Sequence, residues 1–139
     1  MDSYTSRSEM GFQFLSLLIA TALIGKASIA LATRQKFYAA RSRQYVSESL
    51  PLKLLIGPII VGALTLIAWY ATIFHYRPAA WVVTGFLTAL SCMAFDHVFR
   101  WNRHRHVMLK LVTNPNVWLI DCVLLTVGAG FAALALLVY

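Results

Sequence analysis

The chain has 139 residues, of which 60% are hydrophobic and 12% charged, and its mean hydropathy is +0.70. These values exclude an ordinary soluble globular domain and predict an integral membrane protein. The formal charge of +7 does not indicate nucleic-acid binding. The basic residues fall between apolar runs, where they act as topology signals and as contacts for anionic lipid.

Four apolar runs predict transmembrane helices at about 11–32, 52–74, 79–101 and 117–139. Each run is long enough, because a hydrocarbon core of about 30 Å needs about 20 helical residues. We expect the first run to be retained and not cleaved as a signal peptide, since the segment before it is not positively charged and Lys26 interrupts it. The prediction is one domain, an all-α bundle of four transmembrane helices.

The segments between the runs are polar. The basic segment 33–51 is expected to lie along the head groups as a partly helical connector, with helix two beginning near Pro51. The link 75–78 is short and predicts a tight hairpin. The second basic segment, 102–115, has no helix breaker before Asn114 and Pro115, so helix three is expected to continue into water and Asn114 to cap helix four.

The distribution of Lys and Arg predicts the orientation. Only Arg7 and Arg77 lie on the side of the chain termini. The other side carries nine such residues: Arg34, Lys36, Arg41, Arg43, Lys53, Arg100, Arg103, Arg105 and Lys110. By the positive-inside rule both termini face outward and both basic loops face inward, across a bacterial cytoplasmic membrane or a mitochondrial inner membrane.

Small residues recur on one face of each predicted helix, and we expect these faces to pack against protein because small residues let membrane helices approach closely. Three of these faces are Thr21, Gly25, Ser28 and Ala32 on helix one; Gly85, Ala89, Cys92 and Asp96 on helix three; and Asp121, Leu125, Gly128, Ala132 and Ala135 on helix four.

Three ionisable residues, Lys26, Asp96 and Asp121, lie at similar predicted depth near the inner ends of their helices. We expect a buried ion network in which Lys26 pairs with one Asp and Arg100 with the other, for instance with Asp96 one turn earlier. Two interpretations remain open. The network is structural, or one carboxyl group stays protonated or exchanges protons and serves a proton path or the head group of a quinone or lipid.

Two further groups of residues are candidates for binding. The basic residues Arg41, Arg43, Arg103, His104, Arg105 and His106 are expected to contact an anionic head group or a partner. A metal site formed by Cys92, Asp96, His97, Asp121 and Cys122 is chemically possible, but the spacing matches no strong motif.

The sequence contains no catalytic signature, so we expect no catalytic activity of its own and no cofactor beyond a bound lipid or quinone. The preferred prediction is an accessory or assembly subunit of a larger membrane complex, plausibly an energy-converting or oxidative one. The first alternative is a small enzyme or carrier for a lipid-soluble substrate at the inner leaflet, and the second is an oligomeric proton or ion channel. A cavity between the inner halves of helices one, three and four would favour the first alternative over the subunit.

Overall fold

A computed structural model describes residues 2–74 and 79–139, with side chains from residue 10 onward, and this part of the chain is all-helical. Its elements are α1 (Asp2–Val46), a short 3-10 turn (Leu52–Leu55), α2 (Ile56–Phe74), α3 (Ala80–Phe99), α4 (Trp101–Val112) and α5 (Trp118–Leu137). Four of the helices, α1, α2, α3 and α5, are long and apolar enough to cross a membrane, as predicted. The hairpin predicted at 75–78 lies outside the described residues.

Helix α1 is much longer than predicted. It continues to Val46 without interruption, so the expected connector along the head groups is wrong for residues 33–46. No Gly or Pro occurs in this stretch, and the polar side chains do not break it: the Thr33 hydroxyl donates to the carbonyl of Ile29 at 2.7 Å, one turn earlier. The helix ends only before the segment that leads to Pro51.

Helix α3 does not continue straight into water as predicted. The chain turns at Arg100, whose φ and ψ of −113° and 39° are not helical, and α4 begins at Trp101. The Trp101 ring stacks on Tyr45 at 5.9 Å, and its indole N–H donates to the Ser47 carbonyl at 3.2 Å. These contacts hold α4 against the end of α1.

The turn between α4 and α5 also differs from the prediction. The Asn114 side chain accepts the N–H of Asn116 at 2.9 Å, inside the turn, and α5 begins only at Trp118. Asn114 therefore stabilises the turn instead of capping the helix, because a short polar side chain bonds readily to the backbone two residues ahead.

The spanning helices form two pairs. In the first, α1 packs along α5. A Cβ atom added at Gly128 would lie 2.7 Å from Ile24 Cγ1, so the two helices approach closely there. At the far end the Phe12 and Tyr139 rings stack at 5.8 Å. This face of α5 is buried, as predicted.

In the second pair, α2 packs on α3 through buried hydroxyl groups. Thr65 and Ser91 share a hydrogen bond of 2.6 Å, and Thr72 and Thr84 share another of 2.6 Å. Hydrogen bonds of this kind between Ser and Thr side chains are typical of contacts between membrane helices. The two pairs meet in a common core formed by Phe12, Leu15, Ile19, Ala20, Ala68, Ala80, Val83, Leu87 and Phe131.

Two of the predicted small-residue faces do not pack inside this chain. Gly85, Ala89 and Cys92 of α3 are exposed, because the hydroxyl contacts with α2 turn a different face of α3 inward. On α1 the buried face includes Phe12 and Ala27, and the expected face at Thr21 and Ser28 is exposed.

Candidate functional site

A cavity of about 510 Å³ lies at one end of the bundle. We call this the basic end; α1 and α3 finish there, and α2 and α5 begin there. The cavity is partly open and separates the α1/α5 pair from the α2/α3 pair, and residues of α4 line it as well. Most of the wall is apolar, with large contributions from Leu54, Leu90, Met93, Met108, Leu111 and Leu124.

The turn at Arg100 helps to create the cavity. Because α4 is folded back against α1, its residues Met108 and Val112 cover space that a straight helix would leave open to solvent. A second hydrophobic cluster, built on Tyr45, Trp101 and Val112, holds α4 in this position. The cavity is therefore framed by all five helices and the 3-10 turn.

The polar groups of the cavity wall come from three helices. Helix α1 supplies Lys26, Tyr38 and Arg41, α3 supplies His97, and α5 supplies Asp121. An apolar space with a few convergent polar groups is the usual form of a small-molecule binding site.

Asp121 is the buried acid of this site, with only 4% of its surface exposed. The hydroxyl group of Tyr38 donates a hydrogen bond to its Oδ2 atom, which ties the extension of α1 to the first turns of α5. Lys26 lies within electrostatic range of Asp121 and of Arg41. Within the described residues, neither Lys26 nor Arg41 forms a direct salt bridge.

Asp96 belongs to a different cluster. Its Oδ1 lies 3.3 Å from Arg100 Nε, its Oδ2 lies 2.6 Å from His104 Nε2, and its side chain is 45% exposed. Neighbouring residues on a helix point about 100° apart, and it is His97 that faces the cavity. The pair of Arg100 with Asp96 is as predicted, and Lys26 lies within electrostatic range of the other acid, Asp121, so the four residues form two separate clusters.

His97 connects the two clusters through ring contacts. Its ring centroid lies 5.0 Å from that of His104, 5.8 Å from Trp101 and 6.0 Å from Tyr45. These neighbours surround the imidazole at the cavity wall.

The six basic residues expected to bind a head group are also separated. Arg41 lines the cavity, while His104 binds Asp96. The Nε atom of Arg105 is buried and lacks a hydrogen-bond partner within the described residues. The remaining three, Arg43, Arg103 and His106, are exposed.

The sequence did not single out Tyr38, although a signal for it exists. Tyr38, Arg41 and Tyr45 stand at i, i+3 and i+7, so they share one face if the segment is helical. Because the segment was expected to lie along the head groups, this face was overlooked.

The metal-site candidates are not assembled. Within residues 2–74 and 79–139, no three His, Cys, Asp or Glu side chains are grouped to hold a metal ion. Cys92 lies exposed on α3, and Cys122 is half-buried on α5.

Comparison of the chain with known protein families, curated proteins and solved structures found no match. Any functional argument therefore rests on the geometry of the cavity.

Proposed function

We propose that this protein binds a lipid-soluble amphiphile in the cavity at the basic end of the bundle. The observation that carries the proposal is the cavity itself. Its volume of about 510 Å³ falls in the range of about 300 to 1,000 Å³ that small-molecule sites occupy. Its apolar wall suits a hydrocarbon chain, and its polar groups suit a head group.

The alternative to a binding site is a packing gap, and the polar residues argue against it. Protein interiors are close-packed, and the two cations at this gap can be reached by a ligand, since Lys26 is exposed and Arg41 is half-buried. Lys26 and Arg41 both line this space without a salt bridge among the described residues. A bound ligand would supply the missing partner and fill the gap.

Filling the cavity tests the proposal. In Ala94→Trp an indole ring would occupy the cavity, since Ala94 is part of its wall. Ala89→Trp is the matched control, because Ala89 is exposed on the same helix. Native mass spectrometry of protein released from mild detergent should show a bound amphiphile on the wild type and on Ala89→Trp, and none on Ala94→Trp. Equal occupancy of all three would contradict the proposal.

The orientation follows from the charge distribution. We propose that the basic end faces the cytoplasm of a bacterium or the mitochondrial matrix, so that the cavity receives its ligand at the level of the inner leaflet. This placement suits anionic head groups, which are enriched in cytoplasmic leaflets.

A role as an accessory subunit of a larger membrane complex is the second candidate, and one observation favours it. Gly85, Ala89 and Cys92 form a small-residue face that α3 leaves exposed, and a helix of another subunit can approach such a face closely. Gly85→Leu should then remove co-migrating subunits in native electrophoresis after gentle solubilisation. Gly57→Leu is the control and should keep the co-migrating subunits, since both glycines border open space. If Gly85→Leu still migrates with the other subunits, the accessory role is contradicted.

The channel alternative has less support. It needs carboxyl groups that line an axis between copies of the chain. Asp121 is buried inside a single copy and accepts a hydrogen bond from Tyr38.

A further inference from the structure

We infer that the ligand is a single-chain amphiphile whose head group carries one negative charge, and that Lys26 and Arg41 hold this head group. The inference rests on the proposed function and specifies its ligand. It follows from the charges that face the cavity and from the volume available.

The charges that face the cavity do not balance. Lys26 and Arg41 are cations, Asp121 is the one acid among the lining residues, and with His97 neutral the wall carries a net charge of +1. Charges of like sign repel one another, and neither the exposed Lys26 nor the half-buried Arg41 is neutralised by a salt bridge within the described residues. Arg41 lies within electrostatic range of both Lys26 and His97, so the basic groups converge on the same space. One anionic group brings the cavity to neutrality.

Asp121 limits the charge of the ligand. It is fixed by the hydrogen bond from Tyr38 and lies within range of Lys26, so it already balances one of the two cations. A dianionic head group, such as a phosphate monoester, would leave one negative charge unbalanced beside this carboxylate. A carboxylate head group matches the remaining positive charge.

The volume favours one hydrocarbon chain. Taking about 30 Å³ for a group of the size of a water molecule or a methylene, a cavity of about 510 Å³ has room for roughly 17 such groups. That is one long chain with a small head group.

The test compares head groups on a common chain. The full-length protein is placed in discs of phosphatidylcholine, and binding is measured with radiolabelled palmitate, hexadecanol, hexadecyl phosphate and hexadecyltrimethylammonium. Palmitate should bind tightest. Arg41→Gln should weaken palmitate binding by about 10- to 100-fold, as expected for a hydrogen bond to a charged group, and leave hexadecanol nearly unchanged. Arg43→Gln is the control, because Arg43 is exposed and does not line the cavity. Arg41→Lys should retain most of the affinity.

The outcomes separate the two claims. If no amphiphile binds the wild type, the proposed function fails. If hexadecanol or the ammonium compound binds as well as palmitate, the site exists but the inference that it selects a negative charge is wrong. If hexadecyl phosphate binds more tightly than palmitate, the limit to one negative charge is wrong. Phosphatidylglycerol added to the discs also carries one negative charge; strong competition by it would overturn the limit to one chain. The ranking on the wild type decides the charge even if a variant fails to fold.

Discussion

The hydroxyl group of Tyr38 on α1 donates a hydrogen bond to the buried carboxylate of Asp121 on α5. The bond joins a basic segment of the sequence to the first turns of the last spanning helix, beside the cavity. It also fixes the acid of the cavity wall, which determines how many positive charges remain for a ligand.

Removal of this hydroxyl group tests its contribution to stability. Tyr38→Phe leaves the Asp121 carboxylate without its protein donor, and the loss of a hydrogen bond to a charged group should lower the free energy of unfolding by about 1 to 3 kcal/mol. Reversible unfolding in mixed micelles measures the change. Tyr70→Phe, at an exposed position of α2, should have no effect. Equal stability of the two variants would show that the Tyr38 bond contributes nothing.

The close contact of α1 and α5 predicts different effects at two glycines of the same helix. In Gly128→Ala the new methyl group meets Ile24 at 2.7 Å and Leu23 at 3.3 Å, whereas at Gly130 nothing lies within 4 Å. Overpacking typically costs about 1 to 3 kcal/mol, so Gly128→Ala should be destabilised by that amount. Gly130→Ala should be neutral or slightly stabilised, since Ala favours helix. The reverse order of the two thermal midpoints would contradict the helix pairing.

The hydroxyl contacts between α2 and α3 predict a coupling between Thr65 and Ser91. Thr65→Val and Ser91→Ala should each destabilise the protein by about 0.5 to 1.5 kcal/mol, and the double variant by less than the sum, because they share one hydrogen bond. Thr126→Val is the control, since Thr126 bonds only to a carbonyl of its own helix. Strict additivity of the two changes would show that the hydroxyl groups do not interact.

The proposed orientation predicts which positions react from outside. In a background of Cys92→Ala and Cys122→Ala, a membrane-impermeant maleimide added to intact cells or mitoplasts should label Arg77→Cys and not Ser49→Cys. Ser49→Cys should react after the membrane is permeabilised. Labelling of Ser49→Cys in sealed membranes would reverse the orientation.

The sequence predicted the spanning helices because length and hydropathy determine them almost alone. The stretch Leu52–Phe74 coincides with its prediction, and the buried face of α5 at Asp121 and Gly128 was found from periodicity. Each of these features depends on a single element, and the pattern of one element can be read directly.

The features that sequence reasoning missed depend on contacts between elements. The buried face of α3 was misplaced because α3 carries two faces of small residues, and the bonds of Thr84 and Ser91 to α2 decide between them. The cavity depends on the turn at Arg100 and on the stacking of Trp101 against Tyr45. Neither the turn at Arg100 nor the stacking of Trp101 on Tyr45 leaves a local signal in the sequence.

Photolabelling of the cavity in its native membrane would test the central claim most directly. A palmitate analogue with a diazirine near the end of its chain would be added to membranes, activated by light, and located by peptide mass spectrometry. The account predicts labels on the cavity wall, at Leu90 or Leu124, and their loss in Ala94→Trp. Labels spread over the exposed face of α2, at Ile59 and Ile60, with no enrichment in the cavity, would contradict it.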